Sequence, residues 1–253
     1  MMMATGSQRF WEIDAVRGVA IVMMILFHGV YDLDYFGSAG VGASSGFWRS
    51  FAQATATLFL LLVGISLTVS YGRAVHRLTG MELPVKYLRR GARIFLYGMV
   101  ITVVTWLFLP DGIILFGVLH CIGVSIILAY PVFRHRWLAL MAGVGCIAAG
   151  VPVSSVTADT NLFIWLGIRT GEMYMFDYFP LLPWLGVVLV GVFLGNVLYP
   201  EGERRFRLPD FSTRPMTGLL AWMGQHSLAI YLVHQPLLVI ILMAAGAIEI
   251  GLV

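Results

Sequence analysis

The chain has 253 residues, of which 59% are hydrophobic and only 11% charged, with a net charge of +3. Its mean hydropathy is +0.88 and its pI about 9.0. Soluble domains carry about 25% charged residues, so this composition excludes an ordinary soluble enzyme, a disordered chain and a nucleic-acid binder. The apolar residues fall in runs long enough to cross a bilayer. The reading is an all-α polytopic membrane helix bundle, one domain over residues 1–253 with no nucleic-acid partner. The start, MMMATGSQRF, carries no cleavable leader pattern, so the first apolar run is expected to remain as a helix.

About seven spans follow from the rule of roughly 20 apolar residues each. They cover residues 14–31, 51–71, 91–109, 113–133, 137–152, 179–198 and 219–245. The run 161–168 reads as a re-entrant or interfacial segment, and no internal repeat is visible.

Charge sets the expected orientation. Arg9, Arg17, Arg73, Arg77, Lys86, Arg89, Arg90, Arg93, Arg134, Arg136, Arg204, Arg205, Arg207 and Arg214 share one side, leaving only Arg49 and Arg169 opposite. By the positive-inside rule the N-terminus is cytoplasmic and the C-terminus outside. A retinal protein is excluded, because the sole lysine, Lys86, is not in the last span.

Ionisable groups within spans are costly and mark functional sites. In the first span, EIDAVRGVAIVMMILFHGVYDLDYF, Asp14 and Arg17 are three apart and His28 and Asp32 four apart. Each pair shares a helix face. Arg17 and His28 are eleven positions apart, close to three whole turns and about 16 Å along the axis. That stripe, passing Ile21 and Met24, suits a ligand that enters from the cytoplasm and brings its reactive end to His28. Buried packing is the competing role for both pairs.

The last span places Ser227, Tyr231 and His234 on one face, with Pro236 expected to kink it. The fourth span carries His120, flanked by Gly117 and Gly123. His28, His120 and His234 sit at similar outer-half depth in this reading. No HxxxH pair supports zinc, and no metal is expected. Cys121 and Cys146 read as small buried hydrophobes. Before the sixth span lies Asp177, among aromatics at the outer face, with Asp34, Asp111, Asp159 and Glu172 making that mouth acidic and attractive to an amino-bearing acceptor. The basic run YGRAVHRLTGMELPVKYLRRGARIF sets topology, and its Arg89, Arg90 and Arg93 suit a phosphorylated ligand.

The motifs IDAVRGVAIVMMILFHGVYDLDYF, LFLLLVGISLTVSYGR, FGVLHCIGVSIILAY, DYFPLLPWLGVVLVGVFLGN and GQHSLAIYLVHQPLL resemble, in order, the heparan-alpha-glucosaminide N-acetyltransferase catalytic-domain family of membrane acyltransferases. The first span is also similar to that of acyltransferases which modify cell-surface sugars, where an Arg precedes a His at the spacing of Arg17 and His28. The resemblance implies transfer of an acyl group, acetyl foremost, from cytoplasmic acetyl-CoA or another acyl-CoA to an extracytoplasmic acceptor such as a sugar or amino sugar. His28 then matches the catalytic His, Arg17 the Arg of the acyl-CoA path, and a homodimer is the family analogy. The remaining roles follow from chemistry and position rather than from the resemblance: Asp32 or Asp177 is expected to orient His28, and His234, Tyr231 or His120 to stabilise the oxyanion. Direct transfer and an acyl-His intermediate both remain open. The competing class is a small-molecule or proton-coupled transporter, in which the same His and Asp residues form a relay.

Overall fold

The computed structural model describes residues 9–37, 40–109, 112–170 and 175–248. Asp111 and Glu172, two of the acids of the predicted mouth, lie outside the described residues, as do the first eight residues of the N-terminal segment. The described residues are all-helical, 73% helix with no named strand. In order come α1 (Trp11–Tyr35), α2 (Gly46–Ala74), α3 (Glu82–Phe108), α4 (Val118–Ala129), α5 (Arg136–Ser154), α6 (Leu181–Leu198), α7 (Pro215–Gln225) and α8 (Ser227–Ala244). Six of these are long and apolar enough to cross a membrane, and a shorter apolar stretch, Val118–Val132, accompanies them.

Three of the boundaries that differ from the sequence reading have a clear local reason. The expected seventh span is two helices, and the break falls at His226 (φ −100°, ψ 15°) rather than at Pro236, which α8 carries inside it. Proline is tolerated within membrane helices because neighbouring groups satisfy the freed carbonyl. α3 begins at Glu82, well before residue 91, because Leu83, Tyr87 and Gly91 form a buried stripe at helical spacing. Lys86, Arg89, Arg90 and Arg93 therefore stand on the first turns of a helix, not in a loop. α4 starts later than expected because the backbone of Ile114 is held outside any helix. Its carbonyl accepts from Thr102 Oγ1 (2.6 Å) and its N–H donates to Thr105 Oγ1 (3.1 Å). Twelve residues make a helix of about 18 Å, short of a hydrocarbon core of about 30 Å. The 161–168 run is a single 3-10 turn, Asn161–Phe163, followed by Ile164, whose carbonyl accepts from the Tyr178 hydroxyl at 2.9 Å. Burial pushes the Tyr178 phenol above its ordinary value, opposed by Arg169.

The chain divides into two compact units, one of residues up to Phe59 and from Leu208 onward, the other Leu60–Arg207. In the first, α1 packs along α7 and α8. The α1–α7 crossing is set by glycine. A side chain at Gly18 would strike the backbone of Leu220, and one at Gly224 the backbone of Asp14. In membranes such small-residue contacts let backbones approach and replace the hydrophobic driving force available in water. The second unit uses the same device where α3 meets α4 at Gly91 and Gly123, and where α5 meets α6 at Gly143 and Gly186. An aromatic cluster of Tyr71, Tyr87, Tyr130 and Phe133 fills one part of it, with Tyr87 and Phe133 fully buried.

Candidate functional site

α1 is unbroken from Trp11 to Tyr35, so Arg17 and His28 do stand about 16 Å apart along one helix. Ile21 and Met24 between them are buried. At the lower end of this stripe Arg17 Nη1 pairs with Asp14 Oδ1 at 2.8 Å and donates to the Gly224 carbonyl at 3.2 Å. Gly224 lies in the last turn of α7, whose carbonyls lack helical partners and carry the negative end of the dipole. Arg17 thereby fastens α1 to the α7–α8 joint.

Farther along α1, His28 meets His234 of α8, ring centroids 4.8 Å apart and planes at 79°. Hydrogen-bond accounting fixes their tautomers. His28 Nδ1 lies 2.9 Å from the Met24 carbonyl, and His234 Nδ1 2.6 Å from the Tyr231 carbonyl. A carbonyl only accepts, so each Nδ1 carries the proton and each Nε2 presents a lone pair. His234 Nε2 is buried with no partner among the described residues.

Beside this pair, Gln235 Nε2 donates to Asp32 Oδ1 at 2.7 Å, across from α8 to α1. Asp32 is fully buried, yet its Oδ2 has no partner among the described residues, and neither has Gln235 Oε1. The carboxylate predicted to sit with His28 is thus held by Gln235. An unpaired buried polar atom costs about 1–3 kcal/mol, and all three such side-chain atoms among the described residues fall in this one neighbourhood. Natural structures keep such atoms rare, so a cluster of them calls for an explanation. Of the other predicted residues here, Ser227 opens α8, and the Tyr231 ring lies 5.5 Å from that of His234.

The second unit holds a different polar centre. His120, 1% exposed, accepts from the Gly117 N–H through Nδ1 at 3.2 Å, which leaves the proton on Nε2, 3.4 Å from Thr102 Oγ1. This is the return arm of a capping box, with His at the third helical position. Gly98 makes room for the ring, since a side chain there would press on it. Asp177 Oδ2 accepts from the Val118 N–H at 3.0 Å, a negative group at the start of α4. His120 and Asp177 therefore meet at the α4 N-terminus, while His28, Asp32 and His234 meet between α1 and α8. Arg89 and Arg93 are exposed on α3, with Arg90 half-buried. Among the described residues no group of three His, Cys, Asp or Glu side chains is placed to hold a metal ion, and Cys121 and Cys146 are free thiols.

Gln235 is the member that polar residues in the sequence did not single out, although it is itself a polar side chain in an apolar helix, next to His234. The signal was available in the rule that such groups are expensive in lipid. The carbonyls of Met24 and Tyr231, which set the tautomers, had no sequence signal.

The six long apolar helices define an integral multi-pass membrane protein. The chain belongs to the family described as heparan-alpha-glucosaminide N-acetyltransferase, catalytic, whose model matches residues 9–236 and so runs through His28, Asp32, His234 and Gln235. Family membership makes it a membrane protein of acetyltransferase type. Neither a curated protein nor a solved structure matches the chain.

Proposed function

We propose that the chain moves an acetyl group from cytoplasmic acetyl-CoA to an amine or hydroxyl on the far side of the membrane, with His28 as the catalytic base. The observation that carries this reading is the His28–His234 pair, both rings locked with Nδ1 as donor and Nε2 as lone pair. The N-terminus is cytoplasmic, as the arginine distribution favours. Arg17 stands at the cytoplasmic end of the α1 stripe, where its guanidinium suits the phosphates of the donor.

In the reaction, the acceptor heteroatom gives its proton to His28 Nε2 as it attacks the thioester carbonyl. The new bond to the acyl carbon forms and the carbon–sulfur bond breaks. The leaving thiolate then takes the proton from the His28 imidazolium, so products are acetylated acceptor and free CoA thiol. The Met24 carbonyl, accepting from Nδ1, keeps Nε2 basic and stabilises the imidazolium. Tyr231, one turn before His234, takes the oxyanion role. Asp32 shapes the acceptor end through Gln235. His120 and Asp177 hold the start of α4 and position rather than react.

The test pairs turnover with binding. His28→Ala abolishes transfer while acetyl-CoA still raises the unfolding midpoint, because a ligand of the folded state alone must do so. Equal loss of both assigns His28 to packing. Absence of any acetyl-CoA shift in monodisperse protein removes the enzyme reading and directs attention to substrate flux in liposomes.

A further inference from the structure

We propose that Gln235 is a positioning and selectivity residue for the second substrate, forming with Asp32 and His234 a subsite that accepts groups rich in donor hydrogens. The proposal rests on the transfer reading above and deepens it at the acceptor end.

The argument begins with the amide. Gln235 and Asp32 share one hydrogen bond of 2.7 Å. With a carboxylate as partner, the side-chain nitrogen must face it, since an amide oxygen there would set acceptor against acceptor. That contact pins the orientation of the amide and leaves Oε1 as a second acceptor. Asp32 Oδ2 is a third group of the same kind. His234 Nε2 joins them because its proton is on Nδ1. The three atoms without partners among the described residues are therefore all acceptors. They come from two bonded side chains and the residue adjacent to one of them, and Asp32 and His234 are more than nine-tenths buried.

A buried site made only of acceptors discriminates by hydrogen count. A primary ammonium brings three N–H groups, and neighbouring hydroxyls bring one each. A carboxylate or phosphate brings none and faces Asp32 directly. Sites built around buried polar groups reject ligands that leave those groups unpaired far more strongly than apolar pockets reject a missing methylene. Gln235 contributes twice, by holding Asp32 in place and by offering Oε1. A docked ammonium releases one proton to bulk water before attack, and the neutral amine gives its next proton to His28 as it attacks.

Gln235→Met keeps side-chain length and removes both contributions, and Gln235→Glu sets a second acid against Asp32. Glucosamine, glucose and gluconate serve as amine, hydroxyl and anionic probes, each read by its shift of the unfolding midpoint without acetyl-CoA. The expected wild-type order is glucosamine, then glucose, then gluconate. Gln235→Met flattens that order and, with acetyl-CoA added, raises the KM for glucosamine about ten- to hundredfold. The KM for acetyl-CoA and its own stabilising shift stay at wild-type values, a split that a packing role does not produce. Gln235→Glu weakens glucose binding while retaining glucosamine, since it adds a negative charge. A folded Gln235→Met protein with the wild-type probe order overturns the proposal, and so does a wild-type protein that binds none of the three probes. Failure of transfer alone, with the probe order intact and dependent on Gln235, overturns the reaction reading and leaves the subsite standing.

Discussion

His120 in α4 and the His28–His234 pair between α1 and α8 are chemically the same residue type, all in apolar helices, yet their rings are hydrogen-bonded in opposite ways. His120 has a protein partner for each ring nitrogen, the Gly117 N–H on Nδ1 and Thr102 on Nε2. At the α1–α8 contact each Nδ1 is engaged as a donor, and His234 Nε2 has no partner among the described residues. The proton is on Nε2 in the first centre and on Nδ1 in the second. Residue identity does not separate the two cases. Which backbone group meets each ring does, because an N–H can only donate and a carbonyl can only accept. A histidine with both nitrogens engaged serves the fold, and one with an open lone pair is available for chemistry.

The sharpest way to break this contrast is to remove each histidine in turn. His28→Ala is expected to lower transfer by about 10²–10⁴-fold, the usual contribution of a positioned general base, with a small change in the unfolding midpoint. His120→Ala should do the reverse. It strips the partner from the buried Gly117 N–H, costing about 1–3 kcal/mol, while turnover per folded molecule stays within a few-fold. Midpoint and single-turnover rate measured on both variants decide the matter. A large rate loss in folded His120→Ala places His120 in the reaction and ends the contrast.

A smaller effect is expected at the crossing that holds the active helix in register. Gly224→Val puts a side chain into the backbone of Asp14, and overpacking of this kind costs about 1–3 kcal/mol. It also moves the carbonyl that Arg17 bonds. Thermal unfolding and acetyl-CoA affinity should therefore both weaken, whereas Arg17→Lys should lower affinity with less loss of stability, because lysine keeps the charge without the planar fork. If Gly224→Val leaves acetyl-CoA affinity unchanged, Arg17 serves the helix joint alone.

Much of this was legible in the sequence, and the limits have physical causes. Hydropathy located the membrane helices because lipid imposes one strong rule on backbone hydrogen bonds. The eleven-residue spacing placed Arg17 and His28 on one stripe because α1 is an uninterrupted helix. The Asp14–Arg17 pair followed from their spacing, and it forms. The break at His226 was not legible. Hydropathy is blind to a change of direction that keeps the composition apolar, and Pro236 was the more obvious interruption. The partner of Asp32 was not legible either. Spacing along α1 offered His28, but a helix face says nothing about which side chain of another helix will arrive, and Gln235 did. For the same reason the backbone N–H groups of Gly117 and Val118, which His120 and Asp177 meet, had no signal in the sequence.

The smallest expected effect lies at those N–H groups and tests whether the α4 centre is purely a cap. Asp177 accepts from the Val118 N–H, and a capping acceptor replaced by alanine costs about 0.5–2 kcal/mol. Asparagine keeps the oxygen and loses the charge, so Asp177→Asn should forfeit only the dipole contribution of about 0.3–1 kcal/mol. The order of midpoints is then wild type, Asn, Ala, with transfer unchanged throughout. Asp32→Asn offers the matching experiment on the other centre and should give the opposite signature. There the neutral amide removes the charge that Gln235 holds, and the KM for glucosamine should rise with little change in midpoint. Should Asp177→Asn depress transfer as strongly as Asp32→Asn, then a carboxylate at the α4 terminus takes part in the reaction, and the accounting of open lone pairs fails as a guide to which centre is catalytic.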